Sequence, residues 1–188
     1  DEVSARIEQR RGMPGGIFVG MDVIAGFPGE TEEIFRWSYE QFRKLPWNRL
    51  HVFPFSEREG TAATRLGGVV PVPDRKARVR KLMALSTARL KETCEALIET
   101  GQAVEALVEG AVKAQGPSPW ASCTTPNYFR VVFPCEDPEA MKNTSLQVWP
   151  RTLRVNERAG DVALVATLEP GVRPQQDSLY SARVVSPA

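Results

Sequence analysis

Val19-Gly20-Met21-Asp22-Val23-Ile24-Ala25-Gly26-Phe27-Pro28-Gly29-Glu30-Thr31 is the stretch whose reading decides the fold. The apolar run Ile17 to Ala25 is short and rich in β-branched residues, the pattern of a strand buried on both faces. Gly26-Phe27-Pro28-Gly29 breaks that pattern, because two glycines free the backbone and Pro28 stops the strand. Thr31, followed by Glu32 and Glu33, marks a helix start: a capping hydroxyl, then acids over the positive end of the helix dipole. Strand, glycine turn and helix N-terminus form a cradle at the carboxyl end of a strand, where α/β folds hold ligands. The same shape also serves as a tight connection with no ligand.

Downstream, a helix is predicted over about Glu32 to Leu45, with Phe35, Tyr39 and Phe42 on one face and Ile34, Ser38 and Leu45 beside them. Pro46 stops it, and Leu50 to Phe55 reads as the next strand. That order is a βαβ unit, whose two strands should be parallel and adjacent. Arg58 to Pro73 is a loop carrying Arg58 and Arg65, either a contact for an anionic substrate or a solvated connection. Asp74 to about Glu99 is predicted as one long helix capped by Asp74, with Val79, Leu82, Met83, Ser86, Leu90, Cys94, Leu97 and Ile98 on its buried side. Arg75, Lys76, Arg78, Arg80 and Lys81 crowd its first turns, as a phosphate-binding cluster or as the solvated face of the helix. Cations there oppose the dipole, so they do not serve helix stability.

Upstream, Asp1 to Arg11 reads as a charged helix with Val3 and Ile7 on one face, ended by Gly12 and Pro14 to Gly16. A start at Asp1, inside a helix, reads as a piece of a larger protein or as a processed terminus. From Gln102 the pattern changes. Val104 to Glu109, Ser122 to Phe133, Thr144 to Trp149, Thr152 to Val155 and Val162 to Leu168 are short β-rich runs, which predicts a small antiparallel barrel. The expected domains are 1–101, 102–170 and a Pro/Ser-containing mobile tail from Gly171, in which Leu179 and Tyr180 are able to dock.

Bulk properties exclude more than they select. The chain of 188 residues has 42% hydrophobic and 25% charged residues, ordinary for a globular protein. A net charge of +1 points to neither a nucleic acid nor a membrane, and no apolar run is long enough to span a bilayer. Cys94, Cys123 and Cys135 are far apart and read as reduced thiols of a cytosolic protein. His51 is the single histidine, so no His-based dyad or multi-histidine metal site can be assembled. A lone strand histidine serves more often as a hydrogen-bonded structural residue than as a substrate contact.

Two segments carry a family resemblance. Asp22-Val23-Ile24-Ala25-Gly26-Phe27-Pro28-Gly29-Glu30-Thr31-Glu32-Glu33 resembles the D-x-I-x-G-F-P-G-E-T-E-E segment of the radical S-adenosylmethionine methylthiotransferases. His51-Val52-Phe53-Pro54-Phe55-Ser56-Glu57-Arg58-Glu59-Gly60-Thr61-Ala62-Ala63 is similar to the H-V-F-P-Y-S-x-R-x-G-T-x-A segment of the branch that modifies threonylcarbamoyl-adenosine in tRNA. The resemblance covers most of residues 1–170 and only the C-terminal part of the family's architecture. It implies an α/β partial (β/α) barrel fragment, with the two strands as its fifth and sixth, followed by a small all-β, OB-like TRAM barrel that holds RNA. Thr125-Pro126-Asn127-Tyr128 resembles that domain's T-x-N-Y signature.

By the same resemblance, Ile24, Gly26, Phe27, Val52 and Phe53 line S-adenosylmethionine, while Arg58, Asn127 and Tyr128 face the tRNA; Arg65, by its place on the loop, and Arg130, by its place beside the aromatic pair, are the further candidates for that contact. Glu30 either caps the helix or reaches the ligand. Tyr128 and Phe129 with Arg130 suit a base clamp or a barrel core, and alternation sends only one ring inward. The resemblance implies a reaction that uses a four-iron four-sulfur cluster on a C-x-x-x-C-x-x-C motif, which this chain lacks, and a second cluster that supplies sulfur. No catalytic or metal-ligating residue is therefore assigned, this part alone is expected to be inactive, and no cofactor is expected bound to it.

The expected partners are tRNA and the missing N-terminal part of the same enzyme, without a membrane. An open edge on the fifth strand predicts a homodimer, a domain swap or a covering N-terminal helix. From Gln102 to Pro170 six cations (Lys113, Arg130, Lys142, Arg151, Arg154, Arg158) face eight acids (Glu105, Glu109, Glu136, Asp137, Glu139, Glu157, Asp161, Glu169), a net charge of −2. That acidity supports a second reading: a non-catalytic module gripping a protein, as in the ribosomal-protein branch of the same enzymes.

Overall fold

A computed structural model of the chain describes residues 2–112, 119–156 and 159–171. Lys113, Glu157, Arg158, and the tail with Leu179 and Tyr180 lie outside the described residues. The chain forms two compact units, one of residues 1–9 and 19–89, the other of residues 10–18 and 90–188.

In the first unit, helix α1 (Glu2–Arg10) buries no residue. Strands β1 (Gly20–Ala25) and β2 (Arg49–Pro54) pair in parallel through the crossover helix α2 (Glu32–Lys44), as the βαβ pattern predicts. Burial of β1 alternates instead of being complete. Met21, Val23 and Ala25, with Leu50 and Val52 of β2, join a core with Phe35, Trp47 and Leu82. Asp22, Ile24, His51 and Phe53 face the other way and are exposed. The expectation of a strand buried on both faces fails because helices cover one side of this two-stranded sheet only.

Thr31 caps α2 as predicted, with φ −69°, ψ 170° and its hydroxyl accepting from the Ile34 N–H at 3.3 Å. At the other end, Arg89 donates to the carbonyls of Leu45 and Arg43 and stacks 4.4 Å over the Trp47 ring. A cation there satisfies the last carbonyls and complements the negative end of the dipole.

Helix α3 (Val72–Glu99) begins before Asp74, which therefore sits inside the first turn and is not the cap. Pro73 is tolerated because its missing N–H falls among first-turn donors that have no helical acceptor. Ser86 of α3 serves β2 directly: its hydroxyl accepts from the Leu50 N–H at 2.9 Å and lies 3.3 Å from the Leu50 carbonyl. That edge of the sheet is thus partly occupied.

In the second unit, β3 (Val104–Val112), β4 (Trp120–Thr124), β5 (Arg130–Pro134), β6 (Ser145–Asn156) and β7 (Asp161–Thr167) close a ring in the order β3-β4-β5-β7-β6. Three sequence expectations change. Ser122 to Phe133 is two strands around a turn. Thr144 to Trp149 and Thr152 to Val155 merge into β6, because a bulge between Pro150 and Thr152 absorbs the proline. The ring is not wholly antiparallel, since β5 and β7 run parallel.

Its interior holds Val104, Ala106, Val108, Phe129, Val131, Phe133, Val148 and Leu164, joined by Leu90, Cys94 and Leu97 of the last turns of α3. A separate apolar cluster, Trp120, Val132, Ala163 and Val165, lies on the outer wall. Among the described residues no helix is long and apolar enough to cross a membrane.

Candidate functional site

The glycine turn after β1 is closed by the chain itself. Gly26 and Gly29 adopt φ +81° and +88°. The Gly26 N–H donates to the Glu30 carboxylate at 2.7 Å, the Gly29 N–H to the Gly68 carbonyl at 2.8 Å, and the Glu30 N–H to the Phe27 carbonyl at 2.9 Å. These three amides are therefore taken up by the chain itself and not open to an anion, as in the reading of the stretch as a tight connection. Glu30 does not cap α2; its carboxylate bridges the turn to Arg78.

Two of the five cations at the start of α3 hold this turn and the following loop. Arg75 donates to the carbonyls of Val70 (2.7 Å) and Phe55 (3.1 Å) and to the Glu57 carboxylate (2.9 Å). Arg78 donates to the Glu30 carbonyl and carboxylate, both at 2.7 Å, and stacks 5.1 Å over Phe35. Both arginines are buried, and buried guanidinium groups need such partners. The reading of the whole cluster as solvated face or phosphate site thus fails at Arg75 and Arg78. Lys81 lies 4.6 Å from the Tyr39 ring, while Lys76 and Arg80 are exposed.

Of the residues expected around the cofactor, Ile24 and Phe53 are directly opposite each other in the register, at 56% and 52% exposure. Phe27 is also exposed and packs edge-on against Phe55 at 5.1 Å. Gly26 is buried in the turn, and Val52 points to the opposite face, into the core. The geometry offers a flat apolar strip, Ile24 with Phe53, suited to the apolar face of a ring system. Its nearby amides supply little polar recognition. Arg58 and Arg65 sit on the exposed loop and form no ion pair among the described residues.

In the barrel, Thr125 and Asn127 build the turn between β4 and β5. The Thr125 hydroxyl donates to Asn127 Oδ1 (2.8 Å) and accepts from the Phe129 N–H (2.9 Å), and Asn127 Nδ2 donates to the Gly16 carbonyl (3.2 Å). Asn127 is therefore spent on the turn. Tyr128, at φ +61°, is 75% exposed, while Phe129 is 2% exposed in the core, so one ring faces outward and one inward. Arg130 pairs with Asp161 at 3.0 Å. The sequence reading passed over Arg154 and Asn156, which share the outer wall with Arg130. Strand alternation opposite the core positions Leu153 and Val155 was the available signal.

Among the described residues no three His, Cys, Asp or Glu converge on a metal-sized gap. Burial pushes the Cys94 thiol up to about 12, with Glu95 adding to it. Burial likewise pushes Cys123 up to about 12, helped by Glu109 and Cys135. Cys94, Cys123 and Cys135 are far apart in sequence and form no such group among the described residues, so this donor set does not fit an iron–sulfur cluster.

No family model matches the chain. It is 37% identical over 124 residues to the threonylcarbamoyladenosine tRNA methylthiotransferase MtaB of Bacillus subtilis, covering 66% of this chain and 27% of that protein. A tRNA-2-methylthio-N(6)-dimethylallyladenosine synthase of Syntrophus aciditrophicus is 36% identical over 109 residues, covering 58% and 23%. The ribosomal protein uS12 methylthiotransferase RimO of Carboxydothermus hydrogenoformans is 30% identical over 115 residues, covering 61% and 26%. The chain belongs to this family of radical S-adenosylmethionine methylthiotransferases. It spans about a quarter of the length of the curated relatives it matches, at their C-terminal part.

Proposed function

We propose that this chain is part of a cytoplasmic tRNA methylthiotransferase that acts on N6-threonylcarbamoyladenosine beside the anticodon. Its β1–β2 unit would be the end of a (β/α) barrel, and its second unit an RNA-holding TRAM-like barrel. The observation that carries this reading is the 37% identity to the Bacillus subtilis enzyme of that name, over 124 residues or 66% of this chain.

Ile24 and Phe53 would pack against the adenosyl part of S-adenosylmethionine, the cofactor whose bound form supplies the hydrogen-abstracting chemistry of such enzymes. Phe27 would extend that wall, and buried Gly26 would keep the turn beside it compact. Arg58 and Arg65 would meet tRNA phosphates, and Tyr128 would offer its exposed ring to a base, with Arg130 beside it in sequence. Iron–sulfur chemistry belongs, in this reading, to residues outside this chain. The protein-binding alternative is disfavoured, because the tRNA-modifying relatives match at 37% and 36% identity against 30% for the ribosomal-protein enzyme.

The two-stranded sheet favours pairing of its remaining edge with the rest of the parent enzyme or with a second copy. Small-angle scattering that returned a monomer at all concentrations would exclude the second copy. The functional test is binding of unmodified tRNA across a salt series. Affinity should fall steeply and linearly on logarithmic axes, and an absence of binding at low salt overturns the proposal.

A further inference from the structure

We propose that a shallow pocket on the outer wall of the barrel seats one nucleotide of single-stranded RNA, with its base on an apolar floor and its phosphate against Arg154. The inference rests on the reading that this barrel holds RNA, and it names where. Val112, Val132 and Ala163 form the floor, and Arg130, Arg154, Asn156 and Asp161 form the rim.

The register explains the grouping. Arg154 lies opposite Ala163, and Asn156 opposite Asp161, across β6 and β7. Val132 lies opposite Val165 across β5 and β7. Alternate positions of the same strands, Val131, Leu153, Val155, Val162 and Leu164, belong to the barrel interior. The pocket residues therefore point outward, where a solvated barrel wall would normally be polar. The floor instead continues the outer apolar cluster of Trp120, Val132, Ala163 and Val165.

Size and charge narrow the ligand. The volume is about 170 Å³. A cavity of roughly 150 Å³ holds benzene, so one planar ring is the right scale. Arg130 is already paired with Asp161, whereas Arg154 forms no ion pair among the described residues. Asn156 Oδ1 accepts from the Ala159 N–H at 3.2 Å, which leaves its Nδ2 donors for a base edge. An apolar floor with a guanidinium and an amide on its rim matches the flat face, phosphate and edge of a nucleotide. It also answers the net charge of −2 over residues 102–170: two cations and one acid gather at this one spot.

The experiment uses the full chain, a fluorescent oligouridylate and unmodified tRNA, with uridine monophosphate and inorganic phosphate as competitors. Arg154→Gln should weaken oligouridylate binding about tenfold and lower the salt slope by roughly one. Asn156→Ala should weaken it about threefold without changing the slope. Asp161→Asn frees Arg130 and should tighten binding a few-fold, a gain that a misfolded variant cannot mimic. If the unaltered chain binds tRNA while all three variants leave affinity and slope unchanged, the pocket assignment is overturned and the tRNA reading stands. If the unaltered chain binds neither RNA at low salt, both are overturned. If inorganic phosphate competes as well as uridine monophosphate, the site is a bare anion contact and the base seat is overturned.

Discussion

Gly26 lies against the stem of Arg75, so closely that a Cβ added there would come within 3.0 Å of Arg75 Cβ and nearer still to its Cγ. The glycine also holds φ +81°, a conformation costly for any other residue. Both facts make Gly26 a packing requirement of the turn, independent of any ligand. Gly26→Ala should therefore destabilise the first unit by about 2 kcal/mol or more, through backbone strain and displacement of the arginine. Urea unfolding followed by far-UV circular dichroism would measure the shift in midpoint, and an unchanged midpoint would show that neither the backbone conformation nor the displaced arginine costs stability.

Arg78 and Glu30 form the second tie beneath the same turn, with side-chain exposures of 9% and 15%. Removing one member of a buried pair leaves the other charge without compensation, so Arg78→Met should cost about 3 kcal/mol. The Arg78→Met, Glu30→Gln double variant should lose less than the sum of the two single changes, because neither charge is then stranded. A double-mutant cycle by denaturant unfolding reads this directly. Strict additivity would mean the 2.7 Å contact contributes nothing.

Local chemistry explains which parts of this fold were legible beforehand. Thr31 and the glycines act within one turn, so the strand–turn–helix at Gly26 could be read residue by residue. Arg75 and Arg78 could not, because their partners Glu57 and Glu30 lie far off in sequence and helical periodicity does not reveal a buried cation. The hint was physical: cations at a helix N-terminus are unfavourable unless something else holds them. The barrel's strand count emerges from composition, but Pro150 reads as a divider between two strands because a bulge is invisible to patterning. The parallel pairing of β5 with β7 depends on closure of the whole ring. Among the candidate site residues, Ile24 and Phe53 came together because they share a register position, while Val52 was lost to the core by alternation.

The raised thiols give a pH prediction whose sign follows from protonation. Cys94 and Cys123 are pushed from 9.0 to about 12 in the folded chain. Above pH 9 the unfolded chain loses protons that the folded chain keeps, so stability is full below about 9 and declines as pH rises toward 12. The slope is at most about 1.4 kcal/mol per pH unit for each thiol. At pH 8 both buried thiols are held protonated, so native-state alkylation should label half-buried Cys135 first. Mass spectrometry after brief iodoacetamide treatment checks this, and early labelling at Cys94 or Cys123 would contradict the burial.

Tyr128 sets stability against recognition at a single position. Its φ of +61° is unfavourable for a tyrosine, and 75% of the residue is exposed, so the ring gains little from burial. What packing it has is a tilted contact with Phe18 at 6.4 Å between ring centres. Glycine would relieve the backbone cost of about 1 kcal/mol while giving up that contact and some chain entropy, so Tyr128→Gly should change stability by no more than about 1 kcal/mol in either direction. If the ring stacks on a base, the same change should weaken tRNA binding about fivefold to tenfold with an unaltered salt slope, because no phosphate contact is removed. Thermal unfolding and a salt-dependent binding series on one variant separate the two effects. A large stability loss with unchanged binding would reassign Tyr128 to the turn alone.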